Sequence, residues 1–256
     1  EYKKKKITRD NMENEKYIFG IQPIFEAIES GKKIEKVMFK QGLEGHQFRL
    51  LLERLQAMDI RTQFVPYEKL NKVTKSNHQG AIAYISSVEY FSLDQIITIK
   101  NAKRESPLFL ILDGVSDVRN FGAIARSAEC SGVSAIILPS KGSATINADS
   151  IKTSAGALMK IPVCRVGNIR EALYFLKDHD VQIVSCTEKA DDTIYNIDFS
   201  KPTAIIMGSE DKGVSKSALA ISDQMVKIPM MGEIGSLNVS AAAAVVLFES
   251  VRQGNL

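Results

Sequence analysis

The sequence predicts an α/β fold with two domains, and three observations lead to this prediction. The first is a set of apolar runs without strict alternation, which are typical of strands in a parallel sheet buried on both faces. These runs are 108–112, 135–138, 181–185 and 203–207. The second is that helical patterns separate them, at 120–130, 148–158 and 169–177. The third is the length of 256 residues, which suits two ordinary domains.

A smaller αβ domain is predicted ahead of this sheet. Its helical patterns cover 23–30 and 47–58, and its strand-like patterns cover 36–40, 61–65 and 81–86. We therefore expect a front domain at 17–90, a linker at 91–106 with a short helix near 93–99, and the larger domain at 107–256. The highly charged residues 1–16 predict a flexible tail.

Charge and composition narrow the classes of partner. Residues 1–90 contain 16 Lys and Arg against 12 Asp and Glu, whereas 91–256 contain 17 against 18. A basic front part suits a polyanion such as RNA, although an ordinary solvated surface explains the excess equally well. The absence of a long apolar run predicts a cytoplasmic protein without a membrane partner. Cys130, Cys164 and Cys186 lie far apart and the three histidines lack ligand spacing, so we expect no metal.

The loop after the first apolar run of the larger domain carries two candidate residues within DVRNFGAIAR, residues 117–126. In an open parallel sheet, ligands bind beyond the carboxyl ends of the strands. Asn120 can cap the following helix, which is an ordinary structural role. Arg126 falls within a small and apolar helix, where a guanidinium needs an anionic partner or a polar cleft. Arg126 is therefore the stronger functional candidate of the two.

A second loop, GSEDKG, follows the run 203–207. Glycines at both ends, Gly208 and Gly213, allow a sharp turn and a close approach of backbone to ligand, with Glu210 at the crevice. A plain strand-to-helix turn would have the same composition. The segment matches neither the dinucleotide fingerprint nor the phosphate-binding loop.

The third segment, IPMMGEIGSLNVSAAAAVVLFE, covers residues 228–249. A loop rich in Met and Gly precedes Ser236, Asn238 and a helix of small apolar residues. Asn238 can simply cap a buried helix. Alternatively, the free backbone groups and soft apolar walls of such a loop suit an adenine ring and a thioether-bearing ligand.

In order and spacing, these three segments resemble the motifs of the SpoU/TrmH family of RNA ribose 2'-O-methyltransferases, within the SPOUT class. The segments YIFGIQPIFEAIESG at 17–31 and NHQGAIA at 77–83 resemble the substrate-binding domain of the RlmB-like subgroup, which methylates a guanosine of 23S rRNA. The resemblance implies a parallel-sheet domain with a deep trefoil knot, a small L30e-like RNA-binding domain, a homodimer, and S-adenosylmethionine as the cofactor.

The resemblance also implies roles for individual residues. The implied catalytic residues are Asn120, Arg126, Glu210, Ser236 and Asn238. The implied cofactor-binding residues are Thr187, Glu188, Gly208, Ile228, Met230, Ser236 and Leu237. The pair Thr187 and Glu188 is assigned only from its position after a strand. Arg126 is the family's proposed base, but a guanidinium is normally always protonated, so Arg126 can instead stabilise a developing alkoxide.

The sequence therefore predicts methylation of a ribose 2'-hydroxyl in RNA, with a guanosine of 23S rRNA favoured as the target. Two alternatives stay open: a tRNA ribose 2'-O-methyltransferase of the same family, and a non-catalytic RNA-binding protein with this fold. In the front domain, the polar turn at Asn77, His78 and Gln79 either contacts RNA or only caps a strand.

Overall fold

A computed structural model describes residues 17–86, 88–103 and 106–254, and the predicted tail at 1–16 lies outside them. The chain folds into two compact units, divided between residues 87 and 88. The predicted domain and linker boundaries stay predictions. Every helix of the described residues is too short or too polar to cross a lipid bilayer.

The front unit is a four-stranded sheet with helices. Its strands are β1 (Tyr17–Phe19), β2 (Ile34–Lys40), β3 (Arg61–Val65) and β4 (Ala81–Ile85), and its helices are α1 (Ile21–Glu29), α2 (His46–Ala57) and α3 (Tyr67–Asn71). The strand order is β1-β4-β2-β3. Strand β4 runs antiparallel to both neighbours, whereas β2 and β3 are parallel. The sequence patterns did not predict β1 and α3.

The two faces of this sheet are covered differently. Helices α1 and α2 pack Ile24 and Leu51 against Phe39 on one face. On the other face, Leu70 of α3 packs with Met38, Ile82 and Val65. Side chains alternate between the two faces along a strand. Beyond the contacts of Leu70, the second face is therefore formed by side chains of β1, β4 and the first residues of β2 and β3.

The turn at Asn77–Gln79 is held by His78, which is 1% exposed. Its Nδ1 accepts a hydrogen bond from the Gly80 backbone N–H at 3.1 Å, and its Nε2 lies 3.0 Å from Asn71 Oδ1. His78 is thus a structural residue that joins α3 to the turn. The possibility that His78 itself contacts RNA is wrong, because the ring is buried and both nitrogens are engaged.

The second unit is built on a seven-stranded parallel sheet. Its strands are β5 (Leu108–Asp113), β6 (Ala135–Pro139), β7 (Val163–Val166), β8 (Gln182–Cys186), β9 (Asp192–Thr193), β10 (Thr203–Gly208) and β11 (Gln224–Lys227). The order is β7-β6-β5-β10-β8-β11-β9, and every pairing is parallel. The predicted α/β fold with a parallel sheet is confirmed. The trefoil knot stays a prediction.

Helices cover both faces of this sheet. They are α4 (Leu93–Lys103), α5 (Val118–Cys130), α6 (Ala148–Thr153), α7 (Ile169–Lys177), α8 (Lys216–Leu219) and α9 (Val239–Gly254). Helix α4 falls within the predicted linker, yet Ile96 and Ile97 are buried in the core of the second unit. On the opposite face, Phe121 of α5 and Val246 of α9 share one core. Gly122 lets α5 approach α6 closely, since a Cβ there would lie 2.8 Å from the Ser150 carbonyl oxygen.

Candidate active site

A cavity of about 640 Å³ opens where three neighbouring strands, β10, β8 and β11, reach their carboxyl ends. It lies among the segments that follow β8, β10 and β11 and the loop that leads into α9. This is the edge at which open parallel sheets bind ligands. The strand order places β10 between β5 and β8, so segments distant in sequence meet at one site.

All seven residues expected to bind the cofactor line this cavity. They are Thr187, Glu188, Gly208, Ile228, Met230, Ser236 and Leu237. The structure therefore brings together residues from three separate segments of the chain, including the pair assigned from position alone. Their roles in binding stay predictions, but their common location is a property of the fold.

Sequence reasoning missed several residues of the cavity wall. Cys186, Val226 and Ala242 contribute to its lining, as do Lys189 and Lys227. The three apolar ones end a strand or occupy a helix, where they look like ordinary core residues. Burial raises the pKa of the Cys186 thiol to about 12, so the thiol stays protonated near neutral pH. Cys186 is therefore part of an apolar wall and a poor nucleophile.

The loop after β10 requires glycine at position 208. A Cβ on Gly208 would overlap with the backbone of Gly213 and Val214. The loop turns back on itself through a hydrogen bond from the Gly213 N–H to the Ser209 carbonyl at 2.8 Å, and Gly213 adopts a φ of 67°. Glycine at position 208 is therefore required for the loop to close on itself, and the closed loop lines the cavity.

The mouth of the cavity carries a hydrogen-bonded cluster that joins the three motifs. Asn238 Nδ2 donates to Asn120 Oδ1 at 3.1 Å and to Glu210 Oε1 at 2.6 Å. Asn238 Oδ1 accepts from the Ser240 backbone N–H at 2.9 Å and from the Ser240 hydroxyl at 2.6 Å. All the hydrogen-bonding capacity of the Asn238 side chain is thus used.

These bonds fix the orientation of both amides. A backbone N–H can only donate, so the Ser240 N–H requires Asn238 to present its oxygen to α9. The Nδ2 of Asn238 must then face Asn120, and Asn120 must accept this hydrogen bond through its own Oδ1. As a result, the Nδ2 of Asn120 points away from Asn238. Among the described residues no acceptor occupies the two side-chain N–H groups of Asn120, which are therefore available to a ligand at this edge.

Helix caps decide between the structural and functional alternatives for the two asparagines. Asp117 caps α5, accepting from the backbone N–H groups of Arg119 at 2.9 Å and Asn120 at 2.7 Å. The alternative that Asn120 is the cap is wrong, because α5 begins at Val118 and its cap is Asp117, three residues before Asn120. Asn238 does cap α9, because its Oδ1 accepts from the Ser240 backbone N–H. Its Nδ2 also takes part in the cluster with Asn120 and Glu210.

Arg126 lies apart from this cluster and is exposed. Six residues separate it from Asn120, which corresponds to about 9 Å along a helix axis. Among the described residues, no hydrogen bond or ion pair involves its guanidinium, and Arg126 does not line the cavity. The expected anionic partner or polar cleft is therefore not found. The buried side of α5 includes Phe121, Ile124 and Ala125, whereas Arg126 faces solvent.

Within the described part of the chain, no group of three or more His, Cys, Asp or Glu side chains is arranged to hold a metal ion. The polar groups of the cavity are instead backbone amides, hydroxyls and a mixture of Glu and Lys side chains. With apolar walls beside them, these groups suit an organic ligand that has an amino acid end and a flat ring.

Comparison with known proteins agrees with this geometry. Residues 107–248 match the SpoU rRNA Methylase family, and residues 17–91 match the family described as RNA 2'-O ribose methyltransferase substrate binding. A Putative TrmH family tRNA/rRNA methyltransferase YacO of Bacillus subtilis (strain 168) is 32% identical over 239 residues, covering 93% of this chain and 96% of that protein. A Putative TrmH family tRNA/rRNA methyltransferase of Staphylococcus saprophyticus is 36% identical, with the same coverage.

Solved structures show the same likeness. The SpoU methyltransferase AviRb from Streptomyces viridochromogenes, in complex with the cofactor AdoMet, has a TM-score of 0.60 at 25% identity, covering 96% of this chain and 94% of that chain. The A. aeolicus TrmH/SpoU tRNA modifying enzyme has a TM-score of 0.54 at 29% identity, covering 62% and 82%. The chain belongs to the SpoU/TrmH family of RNA 2'-O-ribose methyltransferases. The family predicted from the three motifs is confirmed.

Proposed function

We propose that this protein transfers the methyl group of S-adenosylmethionine to a ribose 2'-hydroxyl, with a guanosine of 23S rRNA as the favoured target. The observation that carries the proposal is the cluster of Asn120, Glu210 and Asn238 at the mouth of a cavity lined by every expected cofactor residue. The AviRb crystal contains the same cofactor in a protein of similar fold.

The residues of the cavity fit this cofactor. The apolar side chains of Ile228, Leu237 and Val226 can enclose the adenine, while loop backbone groups beside Gly208 can bond its edge. Glu188 and Lys189 can hold the amino acid end. When bound, the cofactor supplies a sulfonium methyl group that needs no further activation, so the protein must align the acceptor and handle its proton.

The protein's own groups can perform that alignment. The free N–H groups of Asn120 can donate to a ribose or phosphate oxygen, and the second carboxylate oxygen of Glu210 can accept from a hydroxyl. Asn238 holds both in place. Arg126 acts either as the base or by stabilising charge on the attacking oxygen; its exposed guanidinium is accessible to an RNA phosphate.

We further propose that the protein is a homodimer. Helix α9 leaves Val245 38% and Phe248 49% exposed, three residues apart on one side of the helix. A second copy covering this stripe would bury it, as oligomer interfaces commonly do. A cytoplasmic location agrees with an RNA substrate.

The choice between rRNA and tRNA is open to direct test. Relatives carry the combined description tRNA/rRNA, and the front unit, which precedes the catalytic unit, is our reason to favour rRNA. Unmodified 23S rRNA and a pool of tRNA transcripts, each incubated with methyl-labelled S-adenosylmethionine, separate the two. Label in rRNA alone supports the proposal. Label in tRNA alone establishes the alternative, and RNA binding without transfer would establish a non-catalytic protein.

A further inference from the structure

One row of paired residues crosses the whole sheet of the front unit. Tyr17 of β1 pairs with Tyr84 of β4, Tyr84 pairs with Lys36 of β2, and Lys36 pairs with Arg61 of β3. Directly paired residues on neighbouring strands project from the same face. The row, called here the sheet row, therefore displays two phenol rings followed by two cations, all partly exposed.

The sheet row lies on the face that α1 and α2 leave uncovered. Tyr17 and Tyr84 pack at the edge of the small core formed by Met38 and Leu70, so their positions are fixed. The Tyr17 hydroxyl donates to the Val73 carbonyl at 3.4 Å, and the two phenol rings lie 6.3 Å apart. The two rings therefore form a neighbouring aromatic pair packed at the edge of this core.

The cationic half of the row concentrates positive charge. Lys36 Nζ lies 4.6 Å from the centre of the Tyr84 ring. Burial lowers the pKa of Lys36, and the nearby charges of Arg61 and Lys69 lower it further against the smaller opposing effect of Glu35. In the part of the chain that the structure describes, none of these three cations forms an ion pair with a carboxylate. Such a group of like charges is relieved when an anion binds between them.

We propose that the sheet row binds single-stranded RNA, with bases stacking on its two tyrosine rings and phosphates held by its two cations. The inference deepens the function proposed above and rests on RNA being the substrate. Three spacings of neighbouring strands give the row a length of about 14 Å, and exposed aromatics on a four-stranded sheet commonly stack two or three bases. An RNA duplex keeps its bases paired and offers no such stacking, so it is the wrong partner.

The test uses the full protein and two fluorescent probes, a twelve-nucleotide uridine RNA and a duplex of equal length. The double variant Lys36→Gln with Arg61→Gln removes two cations from the sheet row. Its matched control, Arg49→Gln with Arg54→Gln, removes two exposed cations from α2 on the opposite face. Tyr84→Leu removes a ring, and Tyr84→Phe keeps the ring and its packing.

We expect the sheet-row charge variant to weaken binding of the single strand at least about fivefold and to reduce the slope of log affinity against log salt by about 1.4, whereas its control does neither. Tyr84→Leu should weaken binding about fivefold or more, with Tyr84→Phe near wild type. Equal affinity of the two charge variants, or wild-type affinity of Tyr84→Leu, would overturn the inference. Stronger binding of the duplex would also overturn it.

Methyl transfer to 23S rRNA by the wild-type protein is measured in parallel. Transfer with unchanged binding by all sheet-row variants would overturn the inference and leave the proposed function intact. The absence of both RNA binding and transfer in the wild type would overturn the two together. Thermal melting of each variant shows whether the front unit still folds. If Tyr84→Leu does not fold, the Lys36→Gln/Arg61→Gln variant and its control on α2 still test the inference.

Discussion

Asn238 donates a hydrogen bond to Asn120 across 3.1 Å and thereby joins two motifs separated by 118 residues of sequence. The same amide nitrogen reaches Glu210, and the amide oxygen caps α9. One side chain therefore couples the start of a buried helix to the polar groups beside the cavity. Its capping and positioning roles can be separated, because capping needs the oxygen and positioning needs the nitrogen.

Replacing Asn238 with Asp separates these roles. Asp is as good a cap as Asn, so α9 and the melting temperature should be nearly unchanged. The new carboxylate cannot donate to Asn120 and lies against the carboxylate of Glu210, so the rate at saturating cofactor should fall about 100-fold. Steady-state methyl transfer and thermal melting measure the two effects.

Two companion variants control this experiment. Asn238→Ala loses the cap as well and should cost about 1 kcal/mol of stability in addition to activity. Ser240→Ala keeps the backbone N–H that orients Asn238, so its rate should stay within about threefold of wild type. A fully active Asn238→Asp variant would show that the orientation of Asn120 is irrelevant to the reaction.

A methyl group at Gly208 should disrupt the cofactor loop. Gly208→Ala places a Cβ in the backbone of Gly213 and Val214, so the loop must move. We expect a loss of about 1–3 kcal/mol of stability and the loss of S-adenosylmethionine binding by calorimetry. Gly232→Ala is the matched control, because nothing lies within 4 Å of a Cβ there. Equal cofactor affinity in the two variants would contradict the predicted role of this loop.

Arg126 should matter for activity and not for stability. Its side chain is exposed, so Arg126→Ala should change the unfolding free energy by no more than about 0.5 kcal/mol. If Arg126 contacts the RNA or the attacking oxygen, the rate falls steeply, whereas Arg119→Ala on the same helix does not reduce it. Near-normal turnover by Arg126→Lys would show that a cation without the planar guanidinium fork is sufficient at this position.

The apolar stripe of α9 should control oligomeric state. Phe248→Glu introduces a charge into the proposed interface and should convert a dimer to a monomer in light scattering at micromolar concentration. Met159→Glu is the control, because Met159 lies outside this stripe and its side chain is 60% exposed. A wild-type protein that is already monomeric would contradict the dimer, as would a Phe248→Glu protein that stays dimeric.

Long apolar runs made the large sheet predictable, and short strands escaped prediction. The runs at 108–112 and 203–207 agree with β5 and β10 to within one residue. Strands β7, with four residues, and β9, with two, are too short to carry a pattern. They are held by their parallel neighbours, which only the folded structure supplies.

The sequence motifs predicted which residues lie at the site. They did not predict helix starts or side-chain directions, because these depend on the folded geometry. Asp117 and Asn120 are both good cap residues three positions apart, so sequence alone cannot choose the start of α5. Arg126 follows an apolar pattern that suggested a buried cation, but the helix turns its side chain to solvent. Cys186 resembles a core residue because its place at the cavity depends on where β8 ends.

The most direct test of the central claim is to map the methyl group after incubation of the protein with labelled S-adenosylmethionine and unmodified 23S rRNA. A 2'-O-methyl group blocks alkaline cleavage at the modified nucleotide. We predict label on one ribose, at a guanosine, giving an alkali-resistant dinucleotide whose yield falls about 100-fold with Asn238→Asp. Label on a base, or no transfer to any RNA, would contradict the account.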